Sequence, residues 1–486
     1  MPTDHPLIKP AKKPTVLIVG AGIGGLTLAT LLHKADVPFQ LYDRMTEIKP
    51  LGSALSLGVN VIPLMQQLGL YEEILSLSKR PKSVDNYSED LQLQFSMSFQ
   101  PSDEMSGFTG GILSRSLFHQ LLFRQIPSDR IHMNKRVLSM QQNEHGVRLQ
   151  FSDGSSADGD ILVGADGAYS AVRQSLYQSL KRKDQLPEID DGALPFSCVC
   201  LVGQTKPMDP EKFPELQDPA CHFSIVVGDD KPYSWSTLTT KGNIYCWSVA
   251  LNLDKESSKD HDSFRNTEWG PEAATAMCKD VRDFALPGGR GLGRKMTLGD
   301  LIDQTPLISK VMLEEKVFTT WHAGRTVLLG DACHKIHPAS GAGAINAMQD
   351  AVALANWISI LDTTTAEDIE MAFREYKEER YPAAVASFNA GQALSRLRGT
   401  SFKARFVRFL TRNMPAWMYR IAVKSMVANR PQVSFLPQIE DKGLEPPKYQ
   451  PSLQKTLAIR KAREEAAAAS ASNTLETVKE QEPSMK

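Results

Sequence analysis

Apolar positions recur along this chain in two rhythms. Residues 15–19 are a short run of β-branched and aliphatic side chains and residues 39–42 an apolar run broken only by Gln40, the pattern of strands buried on both faces in a parallel sheet. Between them, residues 23–34 form a longer apolar stretch that predicts a helix, so residues 14–45 read as a βαβ unit. Residues 113–126 place Leu117, Phe118, Leu121 and Leu122 at helical spacing behind Ser114 and Ser116, and predict an amphipathic helix. The segments IHMNKRVLSMQQ, VRLQFS and DILVGADG, separated by the turns NEHG and DGS, read as two paired strands and then a buried one. Residues 185–295 are richer in Pro, and alternating runs such as HFSIVVG, SWSTL and NIYCWSVALNL predict a mostly antiparallel sheet. GRTVLLGD returns to a parallel strand, and residues 342–361 to a long helix.

Glycine follows three of the buried strands. The first segment, TVLIVGAGIGG, carries Gly20, Gly22 and Gly25. In that setting Gly20 makes the tight bend, Gly22 lets backbone approach a pyrophosphate, and Gly25 lets the helix pack on the strand. The helix start offers unpaired N–H groups and the positive end of its dipole to phosphate. Asp43 ends the second strand, 23 residues after Gly20, where an acid receives two ribose hydroxyls. A carboxylate there repels a 2′-phosphate, so this slot suits FAD or NAD rather than NADP. The second segment, ILVGADGAYSAVR, carries Asp166, Gly167, Ser170 and Arg173; the third, GDACHKIHPASGAG, carries Asp331, Gly341 and Gly343. One bulky dinucleotide held by all three accounts for their order.

The 486 residues suffice for two or three domains' worth of core. A formal net charge of −1 gives no reason to expect nucleic acid as a partner. Six cysteines in a chain this long do not make a disulfide framework, which fits a cytoplasmic protein. Residues 15–32 lack charge and reach the lower length of a membrane span, but their glycines sit where a strand must turn into a helix. MPTDHPLIKPAKKP does not read as a signal peptide, nor the closing Ser-Met-Lys as a peroxisomal address. Residues 395–427 interleave eight Lys and Arg with Phe, Trp, Met and Ile. A helical cap with a solvated basic face and a surface lying peripherally on a membrane both account for that pattern.

With those motifs in place, residues 14–390 resemble the class A flavoprotein monooxygenases, the family of single-component aromatic hydroxylases and related epoxidases. Asp166, Gly167, Ser170 and Arg173 match, without gaps, a family segment that serves both the FAD pyrophosphate and the nicotinamide cofactor. GDACHKIHPASGAG matches the family's third motif in full. The resemblance implies an α/β fold like that of p-hydroxybenzoate hydroxylase. A Rossmann-type FAD-binding domain would span residues 14–184 and 296–390, with residues 80–110 contributing to the substrate side. An inserted, mostly antiparallel β substrate domain would span 185–295. A flexible leader would occupy 1–13, a C-terminal helical cap or membrane-surface region 391–460, and a disordered tail 461–486.

The same resemblance implies bound FAD, NADPH or NADH as co-substrate, and dioxygen. The reaction would be hydroxylation or epoxidation of an aromatic, isoprenoid or other hydrophobic small molecule through a C4a-hydroperoxyflavin. Asp331 would bind the ribityl chain, and the backbone at Gly343 and Ala344 would approach the flavin ring. Arg115 would reach toward the FAD phosphates, and the loop of residues 52–60, with Ser56, would pass the flavin. Asp166 and Arg173 would form a buried pair bracing the cleft where the nicotinamide docks. Asp43 stands where the family usually has Glu, and Phe196-Ser197-Cys198 lacks the arginine that some relatives carry in a Y-R-C segment. No catalytic residue is identified. Tyr233, Tyr245 and His222 are the substrate-domain candidates for a base, each equally readable as an ordinary sheet residue. Cys333, His334 and His337 are metal-ligand types, but inside this loop they read as part of the flavin site, and no metal is expected. Two other functions fit the same motifs: a flavin-dependent reductase or halogenase without oxygen insertion, and a flavin-binding regulatory protein.

Overall fold

The computed structural model describes residues 12–47, 53–192, 194, 196–229, 231–253, 271–397, 406–407, 410, 412 and 414–480. Most of the expected leader, Gly52 and the last six residues of the tail lie outside the described residues.

Four of the buried runs pair side by side in parallel, in the order Thr326–Leu328, Ile161–Gly164, Val16–Val19 and Phe39–Tyr42. Ile131–His132 extends one edge in parallel, and His322–Ala323 adds an antiparallel strand at the other. Every residue of Val16–Val19 and Ile161–Gly164 is buried, which is why those runs are apolar on both faces. The helix Ile23–Lys34 is buried from Ile23 through Leu32 and packs against a second buried helix, Gly343–Ser359. Burial inside the protein thus explains the uncharged stretch of residues 15–32. No helix among the described residues is long and apolar enough to cross a membrane.

The second large sheet has seven strands, in the order Ile308–Glu314, Phe196–Gln204, Ile244–Asn252, Tyr233–Thr240, Ala220–Val227, Arg80–Tyr87 and Leu93–Ser98. It is antiparallel except where Ala220–Val227 meets Arg80–Tyr87 in parallel. Period-two alternation divides its faces. Trp235, Trp247 and Val249 point into an apolar cluster shared with Met277 and Val281 of the helix Pro271–Val281. Ser234, Ser236, Ser248 and Ala250 point the other way. Strands from residues 80–98 and 308–314 belong to this sheet as fully as those of the 185–295 segment.

The helix expected over residues 113–126 spans Arg115–Phe123 instead. Gly111–Ser114 is a strand, paired antiparallel with Ala54–Leu57. That pairing buries Leu55, Leu57 and Leu113 in the main core and Ile112 on the other face beside Cys221 and Leu238, and Ser114 keeps an extended backbone with ψ of 131°. Beyond residue 360 the described chain is helical over Ala366–Leu397, Ala416–Ala428 and Pro451–Glu480, so residues 461–480, expected within a disordered tail, continue a helix that their Ala-rich composition favours.

Candidate functional site

The parallel registers align the three glycine segments at one sheet edge. Val19 lies opposite both Gly164 and Tyr42, and Gly164 opposite Leu328. Gly20, Asp43, Asp166 and Asp331 therefore follow neighbouring strands at their carboxyl ends, where open α/β sheets receive ligands.

The turn after the first strand is built around missing side chains. A Cβ at Gly25 would lie 1.9 Å from the Gly20 carbonyl oxygen, so only glycine lets the helix start so close to the strand. Gly20 has φ of +111°, which side chains rarely adopt. Gly22 differs: a Cβ there would meet no protein atom within 4 Å. The helix begun at Gly22 also has no side-chain cap and no acid in its first turn. Uncapped N–H groups facing open space are what a pyrophosphate needs. Asp43 accepts the Ala21 N–H at 2.6 Å and the Met45 N–H at 2.8 Å, which fixes its carboxylate beside the turn.

His119 joins this turn and was missed in the sequence. Its Nε2 lies 2.6 Å from the Ala21 carbonyl, so that nitrogen carries the proton and donates. Burial lowers its pKa, and the nearby Arg115 guanidinium adds to the lowering. Arg115, one helical turn earlier on the same face, is exposed. The signal was there in that i, i+4 spacing once Arg115 had been singled out.

Asp166 does not pair with Arg173. Its carboxylate accepts the Ser170 hydroxyl at 2.5 Å and the Ala171 and Val172 N–H groups at 2.7 and 3.2 Å, capping the helix Ala171–Arg182. The first turn of that helix and the hydroxyl of its Ser170 cap are nearer donors than the Arg173 guanidinium. Arg173, 5% exposed, donates instead to the carbonyls of Ala332 and Ala168 and lies over the Phe318 ring. It thereby ties the second segment to the third. In the third segment Asp331 pairs with Lys335 at 2.6 Å and is partly exposed.

Beneath that loop lies a fully buried acid, Asp350. One oxygen accepts the Gly330 N–H at 3.1 Å and faces His334 Nε2; the other accepts Arg380 Nε at 2.8 Å. Those charges hold the Asp350 carboxyl below its usual range against the cost of burial. Cys333, His334 and Asp350 bring three ligand-type atoms within 4.8 Å. Because both carboxylate oxygens already accept from donors, the group reads as an ion-pair network bracing the loop. His337, grouped with Cys333 and His334 by residue type, faces elsewhere: its Nδ1 accepts the Ala339 N–H at 3.0 Å.

The helix Gly343–Ser359 starts, again without a side-chain cap, beside Gly341, and a Cβ at Gly343 would meet no protein atom within 4 Å. Its start and Ser56 of the Ala54–Leu57 strand border a cavity of about 2340 Å³. The seven-stranded sheet forms another wall, with Phe223, Ile225, Ser236 and Ser248 facing in. A volume of this size exceeds an ordinary small-molecule pocket and leaves room for a flavin ring together with a substrate. The open space at Gly22 and Gly343, the two uncapped helix starts and the acids at Asp43 and Asp331 all fit FAD.

The three candidate bases are not brought into this cavity. Tyr245 is buried on the far face of the sheet and donates to Glu215. Tyr233 packs edge-on against Phe284, and His222 sits at the surface beside Asp218 at 3.0 Å.

Residues 13–196 and 298–390 match the family described as FAD binding domain. Among curated proteins, the chain is 29% identical over 395 residues to the FAD-dependent monooxygenase paxM of Penicillium paxilli, covering 79% of this chain and 78% of that one. It is 27% identical to ptmM of Penicillium ochrochloron, also an FAD-dependent monooxygenase, covering 81% and 92%. Among solved structures, Klebsiella pneumoniae HpxO complexed with FAD and uric acid superposes with a TM-score of 0.65 at 21% identity, covering 86% of this chain and 97% of that one. The 2,6-dihydroxypyridine-3-hydroxylase of Arthrobacter nicotinovorans gives 0.62 at 18% identity, covering 81% and 95%. The expectations of FAD as cofactor and of the p-hydroxybenzoate hydroxylase-like fold hold, and the reductase, halogenase and regulatory readings are not favoured. With its glycine turns, acids and uncapped helix starts gathered at one sheet edge, this chain belongs to the FAD-binding family of flavoprotein monooxygenases and is an FAD-dependent oxidoreductase.

Proposed function

We propose that the protein uses NADH or NADPH and dioxygen to hydroxylate or epoxidise a hydrophobic small molecule, aromatic or isoprenoid, held in the cavity. The observation that carries this reading is the cavity itself, bounded by an uncapped helix start on one side and an apolar and serine-lined sheet face on the other. The Gly20–Gly25 turn and Arg115 would hold the pyrophosphate, Asp43 the adenosine ribose and Asp331 the ribityl chain. The backbone at Gly343 and Ala344, with Ser56, would border the ring. Asp166 would act indirectly, by fixing the helix it caps. Bound FAD supplies the redox chemistry, accepting hydride from the nicotinamide cofactor and activating dioxygen once reduced.

The chain's own contribution is positional and electrostatic. N–H groups at the start of Gly343–Ser359 favour negative charge at the ring edge they face. Phe223 and Ile225 keep water from the reacting centre, and the serines orient a weakly polar substrate. The test is to purify the yellow protein, release and identify its flavin, and screen compounds that accelerate NAD(P)H oxidation under ¹⁸O₂. One labelled oxygen in the product is expected. Hydrogen peroxide as the sole oxygen product across a broad hydrophobic panel would overturn the reading. We also infer that the 395–427 region meets a membrane surface peripherally.

A further inference from the structure

Exposed apolar side chains are not spread evenly over this protein. Of the 16 large hydrophobics exposed among the described residues, seven lie between 406 and 426: Phe406, Val407, Leu410, Trp417, Met418, Ile421 and Met426. Scattered single residues need no explanation, but Trp417, Met418 and Ile421 stand side by side on one helix, and an exposed apolar group of that kind marks an interaction surface. Trp417 and Ile421, one helical turn apart on Ala416–Ala428, are 64% and 62% exposed. The opposite face of the same helix is engaged. Tyr419 and Val423 line the cavity, and the Tyr419 hydroxyl donates to the Ser98 carbonyl at 3.0 Å. The helix is thus a wall of the cavity whose outer side is apolar.

Charge identifies the occupant of that outer side. Between residues 395 and 427 the sequence has eight Lys and Arg and no acidic residue, in a chain whose net charge is −1. Arg420 and Lys424 flank the apolar row; each faces an acid, Glu104 at 2.7 Å and Glu445 at 3.1 Å, yet both stay about half exposed. A nucleic acid or an acidic protein accounts for the cations but gives no use to an exposed row of Trp, Met and Ile. An anionic bilayer surface uses both, with Trp at the headgroup level and Lys or Arg beside it.

We propose that the Ala416–Ala428 helix docks the protein on anionic lipid and sets the cavity wall against the bilayer, so that a hydrophobic substrate passes from the membrane to the site. The docking is independent of turnover; only its purpose rests on the monooxygenase reading. The test is co-sedimentation of the full-length, FAD-loaded protein with vesicles of phosphatidylcholine alone or mixed with phosphatidylserine. Binding is expected to the mixed vesicles, weakening as salt is raised. The double variant Trp417→Glu, Ile421→Glu should bind about tenfold less, with unchanged FAD content and melting temperature. Failure to sediment with anionic vesicles would overturn the proposal. So would equal binding by the double variant, or retention on heparin or duplex DNA without vesicle binding. Vesicle binding by a protein that oxygenates nothing would leave the docking in place and remove the monooxygenase reading instead.

Discussion

In the six-stranded sheet the proposed cofactor contacts come mainly from backbone, whereas in the seven-stranded sheet the proposed substrate contacts come from side chains. The first presents a glycine turn, two uncapped helix starts and acids fixed by N–H groups, as at Asp43 and its Ala21 partner. The second presents Phe223, Ile225, Ser236 and Ser248, drawn from three strands. Backbone recognition tolerates almost no substitution, because the chain itself must pass close to the ligand. Side-chain recognition can be rewritten residue by residue without disturbing the sheet. The contrast predicts different responses to mutation in the two halves.

The largest effect should come from Asp350→Ala. This removes the partner of two buried groups, Arg380 and His334, and releases the Gly330 N–H. Leaving buried charge uncompensated costs about 3–5 kcal/mol. Urea unfolding of the apoprotein should register that loss, with FAD retention failing in parallel. Wild-type stability would mean that the network does not brace the loop.

Acid should also strike the FAD half first. Burial, with Lys377 and Arg374 nearby, lowers the His322 pKa from 6.5 to about 4. Above pH 6.5 the ring is neutral in folded and unfolded chains alike, so its contribution to stability is fully present. As pH falls from 6.5 towards 4 the unfolded chain takes up a proton that the folded chain resists, and stability drops by on the order of 2–3 kcal/mol. The lowered His119 acts in the same direction. His322→Gln should flatten this acid limb in melting curves taken from pH 7 to 4. An unchanged slope would assign the loss to other groups.

How much was legible in the sequence follows the same division. Gly20 and Gly25 were readable because each answers a local backbone demand behind a buried apolar strand, whereas Gly22 and Asp43 followed from their spacing to those glycines. Asp166 and Arg173 were recognised but wrongly paired, since spacing does not reveal that a helix start lies nearer to the acid than the guanidinium does. Leu113 was assigned to a helix because short apolar runs carry no period, and only its pairing with Leu55 settles it as strand. Asp350 was invisible: a lone acid in a buried helix shows its purpose only when Arg380 and His334 are beside it. The strands of the cavity wall at 220–252 were legible as an antiparallel sheet, but which of their side chains face the cavity was not, because that depends on which face packs against Pro271–Val281.

Removing ligand contacts without removing packing should separate cofactor binding from folding. Asp331→Ala deletes a charged acceptor for ligand hydroxyls, worth about 1.5–3 kcal/mol, or roughly a tenfold to hundredfold weaker FAD dissociation constant. Gly22→Ala adds a methyl group where no protein atom lies within 4 Å, so apoprotein stability should stay within about 0.5 kcal/mol of wild type. Its FAD affinity should nevertheless fall, because the methyl group occupies space meant for phosphate. Fluorescence titration of the apoproteins with FAD measures both. Normal affinity in Gly22→Ala would place the pyrophosphate elsewhere.

The smallest effect belongs to the sheet wall, at Ser236→Ala. The Ser236 and Ser248 hydroxyls lie 2.8 Å apart across neighbouring strands, and both border the cavity. The change removes one neutral hydrogen bond and leaves the other hydroxyl facing a cavity wide enough for water. The expected cost is therefore about 0.5–1.5 kcal/mol, near the net value of a single such bond. FAD affinity should be untouched, since the proposed cofactor contacts lie on the other sheet. KM for a substrate found by the oxidation screen should shift while the rate of flavin reduction stays constant, because the serines meet the substrate and not the nicotinamide. A loss of FAD affinity in this variant, with stability otherwise intact, would show that the wall reaches the cofactor, and the division between backbone and side-chain recognition would fail.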